Sequence, residues 1–98
     1  MVKHIILWKL KKEYNNITIK KGIKDGLEGL MGRISGLLEI RVQIDNLASS
    51  NADVMLYSAF ESEEAFKAYS VNPIHVEVAN DKVRPFTETR LCMDFSDN

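Results

Sequence analysis

The chain has 98 residues, 45% of them apolar and 28% charged, which suits one hydrophobic core and leaves nothing for a second. Thirteen basic against fourteen acidic side chains give a formal charge of -1, so the electrostatic footprint of a general nucleic-acid binder is missing. Cys92 is the single cysteine, which excludes a disulfide within the chain and a thiol cluster for structural zinc, and suits a reducing cytoplasm. The apolar run Ile5, Ile6, Leu7, Trp8 is too short for the core of a signal peptide. No stretch approaches the ~18 apolar residues of a membrane span, so no membrane partner is expected.

Charge divides unevenly along the chain. Residues 1–41 hold nine basic and four acidic side chains, and residues 42–98 hold four basic and ten acidic. Opposite halves suit self-association or plain solvated faces. A chain this short also buries only about two-thirds of its unfolded surface, so a covering partner would add stability.

Residues 2–11 read as a first strand, with His4, Ile6, Trp8 and Leu10 on one face and Ile5 and Leu7 on the other. Both faces are apolar, as in a central strand. Ile23, Leu27, Leu30, Met31 and Ile34 then form one stripe of a long amphipathic helix, flanked by Gly22, Gly26 and Gly29. Each mid-helix glycine costs about 1 kcal/mol against alanine, which points to a close approach or to nothing beyond a loosened helix. Leu38, Ile40, Val42 and Ile44 alternate with polar neighbours as a strand with one buried face. Residues 53–61 supply a third strand, apolar on both faces.

Ser62 is placed to cap the next helix, with Glu63 and Glu64 in the first turn where the helix dipole favours negative charge. Asn72 and Pro73 break that helix, and Pro73 suits the first position of another short one through His75, Val76 and Ala79. Residues 86–95 form the fourth strand, where Leu91, Met93 and Phe95 alternate with Arg90, Cys92 and Asp94.

Strand, helix, strand, strand, helix, strand is the ferredoxin-like βαββαβ order, an α+β fold over residues 1–98 with helices on one side of a four-stranded antiparallel sheet. Its usual strand order, 4-1-3-2, makes strands 1 and 3 central, matching their two apolar faces. Helices cover one face only, so the open face calls for a second cover, and another copy of the chain is the natural one.

Val2-Lys3-His4-Ile5-Ile6-Leu7-Trp8-Lys9, Gly32-Arg33-Ile34-Ser35-Gly36-Leu37 and Tyr69-Ser70-Val71-Asn72-Pro73-Ile74-His75-Val76 closely resemble the stress-responsive A/B barrel family, also called Dabb. Val83-Arg84-Pro85-Phe86 and Arg90-Leu91-Cys92-Met93-Asp94-Phe95 extend the match in family order over nearly the whole chain. The resemblance implies a homodimeric α/β barrel closed by two sheets face to face. It also implies acid–base chemistry, since a plant polyketide cyclase of this fold uses a His and Tyr pair whose positions match His75 and Tyr69. His4 matches a further pocket-lining histidine. Where the family's motif usually reads His-Pro-x-His, this chain has Asn72-Pro73-Ile74-His75, losing the first histidine and keeping the acid–base one. Ser35 stands where a proline is common, a change that affects the turn.

Chemically, an imidazole with an ordinary pKa of about 6.5 is suited to proton transfer near neutrality, and a phenol to holding a carbonyl or enolate oxygen. The bland alternative is that His75 hydrogen-bonds the broken helix while Tyr69 fills the core. His4 and Trp8 share a strand face and would look into any cavity beneath the helices. Arg90 is placed to meet an anionic ligand group or merely to pair with Glu88 or Asp94. No His-x-x-x-His, acidic loop or glycine-rich phosphate loop is present, so neither metal nor cofactor is expected.

Three functions compete on these grounds. A small-molecule enzyme of cyclase, lyase or isomerase type would act on an apolar or β-dicarbonyl ligand. A noncatalytic ligand-binding or stress-protective dimer would need the cavity without proton transfer. An RNA-binding sheet would need aromatics on the exposed face of its middle strands; strand 3 offers Tyr57 but lacks the glycine- and aromatic-rich signature, so nucleic acid is not expected as a partner.

Overall fold

A computed structural model describes residues 1–97 of the chain. Four strands, β1 (Val2–Leu10), β2 (Leu37–Gln43), β3 (Val54–Phe60) and β4 (Thr87–Ser96), form one antiparallel sheet in the order β2-β3-β1-β4. Helices α1 (Ile17–Glu28), α2 (Glu63–Val71) and α3 (Pro73–Val78) join them in the ferredoxin-like order. No described helix is long and apolar enough to cross a membrane.

Strand pairing follows from the alternation of side chains. Ile6 lies opposite Leu56 of β3 and Cys92 of β4, so the even-numbered residues of all three strands share the inner face. Ile23 and Leu27 of the first helix pack against that face, and with Val42, Leu56 and Phe60 they are essentially sealed from water. Burying each such side chain contributes about 1.5–3 kcal/mol.

α1 begins where the Asn16 side chain accepts the Ile19 N–H at 3.0 Å. It ends earlier than its hydrophobic stripe suggests, at Glu28. Leu30 and Ile34 are buried from the following turns instead, and Met31 points outward. Gly32, with φ of +83°, turns the chain away from helical geometry. Of the two readings left open for the helix glycines, close approach holds at Gly26, where a Cβ would sit 3.2 Å from Val78 Cγ1, and not at Gly22, where it would meet nothing within 4 Å. The final turn of α1 also tends the exposed edge of the sheet. Glu28 Oε2 accepts the Val42 N–H at 2.9 Å, and Lys24 Nζ donates to the Val42 carbonyl at 2.8 Å, so neither outward backbone group of Val42 is left as a free ladder group.

Leu38 differs from its expected place on the buried face of β2. A bulge between Leu37 and Glu39 adds a residue to the strand, so Leu37 takes the core position and Leu38 is exposed. Helices cover the inner face alone. On the outer face Leu91 and Met93, 72% and 66% exposed, stand beside Leu7 and Ile5, and the apolar surface continues to Met55 and Tyr57. The apolar character therefore extends beyond the two central strands to the edge strand β4.

Gly36 anchors the turn into β2. Its φ is +84°, and a Cβ there would lie 2.5 Å from the Cβ of Ala65 on α2. Gly36→Ala should therefore lower stability by about 2 kcal/mol or more, through left-handed strain and a clash with backbone-proximal atoms. Gly22→Ala, which meets nothing within 4 Å, should be neutral or stabilising. Urea denaturation of the two variants checks this contrast.

Candidate active site

The Asn72–Pro73 junction creates the site. Ser62 accepts the Ala65 N–H at 3.1 Å to start α2, and Asn72 closes that helix by donating its backbone N–H to the Tyr69 carbonyl at 3.1 Å. The Asn72 side chain then accepts the Ile74 N–H at 2.9 Å, capping α3 with Pro73 in the first turn. One residue thus ends one helix and starts the next. The bend brings the Tyr69 and His75 rings to a centroid separation of 4.0 Å at a tilt of 31°.

These rings line a cavity of about 320 Å³ between α2, the α3 region and the inner face of β1 and β4. His4, Trp8 and Arg90 line it as well, so the fold brings together all five residues singled out in the sequence. The π-helical turn Ala79–Val83 that continues α3 supplies further apolar wall. A larger hollow of about 530 Å³ lies beyond Phe66 and Asp94, ringed by Met1, Glu61, Glu63 and Lys67. It holds neither the imidazoles nor the Tyr69 phenol.

Tyr69 is 1% exposed, and its hydroxyl and His75 Nδ1 are buried without hydrogen-bond partners among the described residues. An unsatisfied buried polar group costs about 1–3 kcal/mol, so two side by side are costly features to keep in a purely structural core. Burial pushes the Tyr69 phenol well above its usual range, which keeps it protonated and able to donate. Burial likewise lowers the His75 pKa, helped by the charge of Arg84 and by the nearby His4 ring and opposed by the Ser70 and Tyr69 carbonyls. At neutral pH His75 is therefore an uncharged imidazole able to accept a proton.

His4 is 5% exposed and its Nδ1 donates to Asp94 Oδ1, which places a ring proton at Nδ1. Of the two readings of Arg90, pairing with Asp94 or Glu88 is not seen among the described residues; Asp94 pairs with His4 instead. Cys92 Sγ lies 3.4 Å from Asp94 Oδ1. Sequence reasoning placed neither Cys92 nor Asp94 at the site. The alternation of β4 put both on Arg90's face, but only the β1–β4 register, with His4 opposite Asp94, connects them to the site.

A ferredoxin-like α+β domain with a His–Tyr cavity beneath its helices is the class that fold and geometry define. The model of the stress responsive A/B barrel domain, Dabb, matches residues 2–97, and the chain belongs to that family. Among solved structures, a dimeric ferredoxin-like protein of unknown function from Bacteroides fragilis is similar at 28% identity and a TM-score of 0.88, covering 98% of this chain and 95% of that one. A protein from Arabidopsis thaliana is similar at 23% identity and 0.85, covering 100% and 96%. A hydroxynitrile lyase from Passiflora edulis shares the fold at 18% identity and 0.83, covering 99% and 93%. No curated protein matches the sequence.

Two measurements check the site's environment. Trp8 is 5% exposed on the inner face, so its fluorescence should be blue-shifted and resist iodide, and efficient quenching of the folded protein would remove it from the cavity. Because the folded His75 pKa lies below its unfolded value of about 6.5, the unfolded chain takes up a proton first on acidification. That stabilising contribution is complete above about pH 6.5 and is lost as pH falls toward the folded value. The melting temperature should drop between about pH 7.5 and 5.5, and His75→Gln should flatten the drop. Identical slopes for the two proteins would contradict the assignment.

Proposed function

We propose that the protein is a homodimer in which each chain binds a small, largely apolar carbonyl compound, with β-dicarbonyl chemistry as the natural type, and performs cofactor-independent acid–base catalysis on it. His75 removes a proton and Tyr69 donates to the oxygen on which negative charge develops. Cyclisation, lyase or isomerase reactions fit these roles. His4 and Trp8 shape the wall, and Arg90 at the rim meets an anionic group of the ligand.

The observation that carries this reading is the pair of buried, unpartnered polar atoms, Tyr69 Oη and His75 Nδ1, on stacked rings at one cavity wall. A ligand oxygen and an acidic C–H would supply what each lacks. Noncatalytic ligand binding is the second reading. It is favoured by Asn72, whose side chain is occupied in capping α3 where the family's motif usually carries a further histidine.

With a panel of β-dicarbonyl and polyketide-like compounds, the native protein should show turnover and His75→Ala should lose it by a factor on the order of a hundred to ten thousand. Tyr69→Phe should weaken kcat without preventing binding. Absence of turnover in the native protein, with a sharply lower melting temperature for His75→Ala, would favour the second reading.

The dimer rests on the uncovered outer face of the sheet and agrees with the dimeric state stated for the similar Bacteroides fragilis protein. The native protein should sediment at twice the 11.2 kDa chain mass, and Met93→Glu should yield a folded monomer because a carboxylate at the centre of an apolar interface costs several kcal/mol. A native monomer at micromolar concentration, folded and soluble, would contradict it.

A further inference from the structure

The cavity wall formed by β1 and β4 holds a set of donor atoms that the acid–base reading leaves unused. Cys92 Sγ lies 3.7 Å from His4 Nδ1 and 3.4 Å from Asp94 Oδ1, and that same Asp94 oxygen accepts from His4 Nδ1. All three donor atoms fall within 4.8 Å of one another. Strand register produces the cluster: His4 sits directly opposite Asp94, and Cys92 lies two residues earlier on the same face. His4 lies 88 and 90 positions from Cys92 and Asp94 in the chain, so no local metal motif announces the set.

Thiol, imidazole and carboxylate also make a nucleophile triad, but that relay needs the thiol on one ring nitrogen and the carboxylate on the other. Here both meet Nδ1. A relay is thereby ruled out, whereas convergence of three Lewis bases on one point is the arrangement of a ligand set. In a tetrahedral zinc site, with Zn–S of about 2.3 Å and Zn–N or Zn–O of about 2.0–2.2 Å, donor atoms lie about 3.3–3.6 Å apart. The two sulfur separations already come close to that spacing. The nitrogen and oxygen need only part as an ion replaces the proton they share. The two strands pair without interruption from Val2 opposite Ser96 to Lys9 opposite Thr89, so the donors need no loop rearrangement.

We propose that His4, Cys92 and Asp94 form a site for a borderline-soft divalent cation of the Zn²⁺ or Co²⁺ type, with three protein ligands and the fourth position on the cavity side. Binding converts the Cys92 thiol to a thiolate with release of one proton to solvent, and the His4 proton passes from Nδ1 to Nε2. A thiolate and an imidazole among the ligands select against Mg²⁺, which prefers oxygen donors alone.

Titrating the reduced full-length protein with Co²⁺ is the direct test. The expected result is a sulfur-to-cobalt charge-transfer absorption in the near ultraviolet that saturates at one ion per chain. Zn²⁺ should displace it, and excess Mg²⁺ should not. Cys92 is exposed, so Cys92→Ser should leave the circular dichroism unchanged while abolishing the absorption. Asp94→Asn, also at an exposed position, should weaken Co²⁺ binding by at least about tenfold, as should His4→Gln. Absence of the absorption at millimolar Co²⁺ would overturn the proposal, as would full affinity retained in both Asp94→Asn and His4→Gln, since the metal would then sit on the thiol alone.

Discussion

The two-residue period of β1 is the constraint on which the rest of the molecule depends. This strand pairs with β3 on one side and β4 on the other, so whatever it turns inward faces the helices and whatever it turns outward faces the open side of the sheet. Val2, His4, Ile6, Trp8 and Leu10 turn inward and are buried. A slip of one residue would exchange His4 and Trp8 for Lys3 and Leu7, emptying the cavity of its aromatic wall and placing a lysine beneath α2. The hydrophobic cost of that exchange, two or more large side chains at about 1.5–3 kcal/mol each, holds the register and so holds His4 opposite Asp94.

The helical layer contributes the other half of the site through one backbone break. Asn72 and Pro73 prevent a single straight helix, and the resulting angle lets Tyr69 from α2 and His75 from α3 stack although they belong to different helices. The same burial that stacks them deprives both of water, and desolvation is the largest influence on each side chain's acidity. One becomes a persistent donor and the other a neutral acceptor. Separation of proton affinities between adjacent groups is a usual property of acid–base sites.

Much of the fold was legible because short-range rules and tertiary packing agree. The two apolar faces of β1, the alternation of Ile40, Val42 and Ile44, the Ser62 cap and the Asn72–Pro73 break each appear where chain chemistry puts them. Local rules failed where the backbone departs from regular geometry. A bulge moved Leu38 off the core face, and the turns after Glu28 buried Leu30 and Ile34 without helical structure. His75, Tyr69 and His4 stand out by residue type and by family resemblance, Trp8 and Arg90 by their places on the strands, and all five line one cavity. Asp94 and Cys92 lie in a segment that carries the resemblance, but nothing in their residue types or spacing ties them to His4. Their partner is at the opposite end of the chain, and only sheet register brings it within reach.

The central claim is that His75 is an uncharged, desolvated proton acceptor at a ligand cavity. The chain has only His4 and His75, so ¹⁵N-labelled imidazole spectra contain two ring systems, and His4→Gln assigns them. Titrating these signals in the native protein, with and without an enolate-like carbonyl compound, tests the claim most directly. The account predicts that His75 titrates below the ordinary value of about 6.5 and that its Nδ1 resonance moves when the compound binds. A His75 that titrates at or above that value and ignores the compound would contradict it.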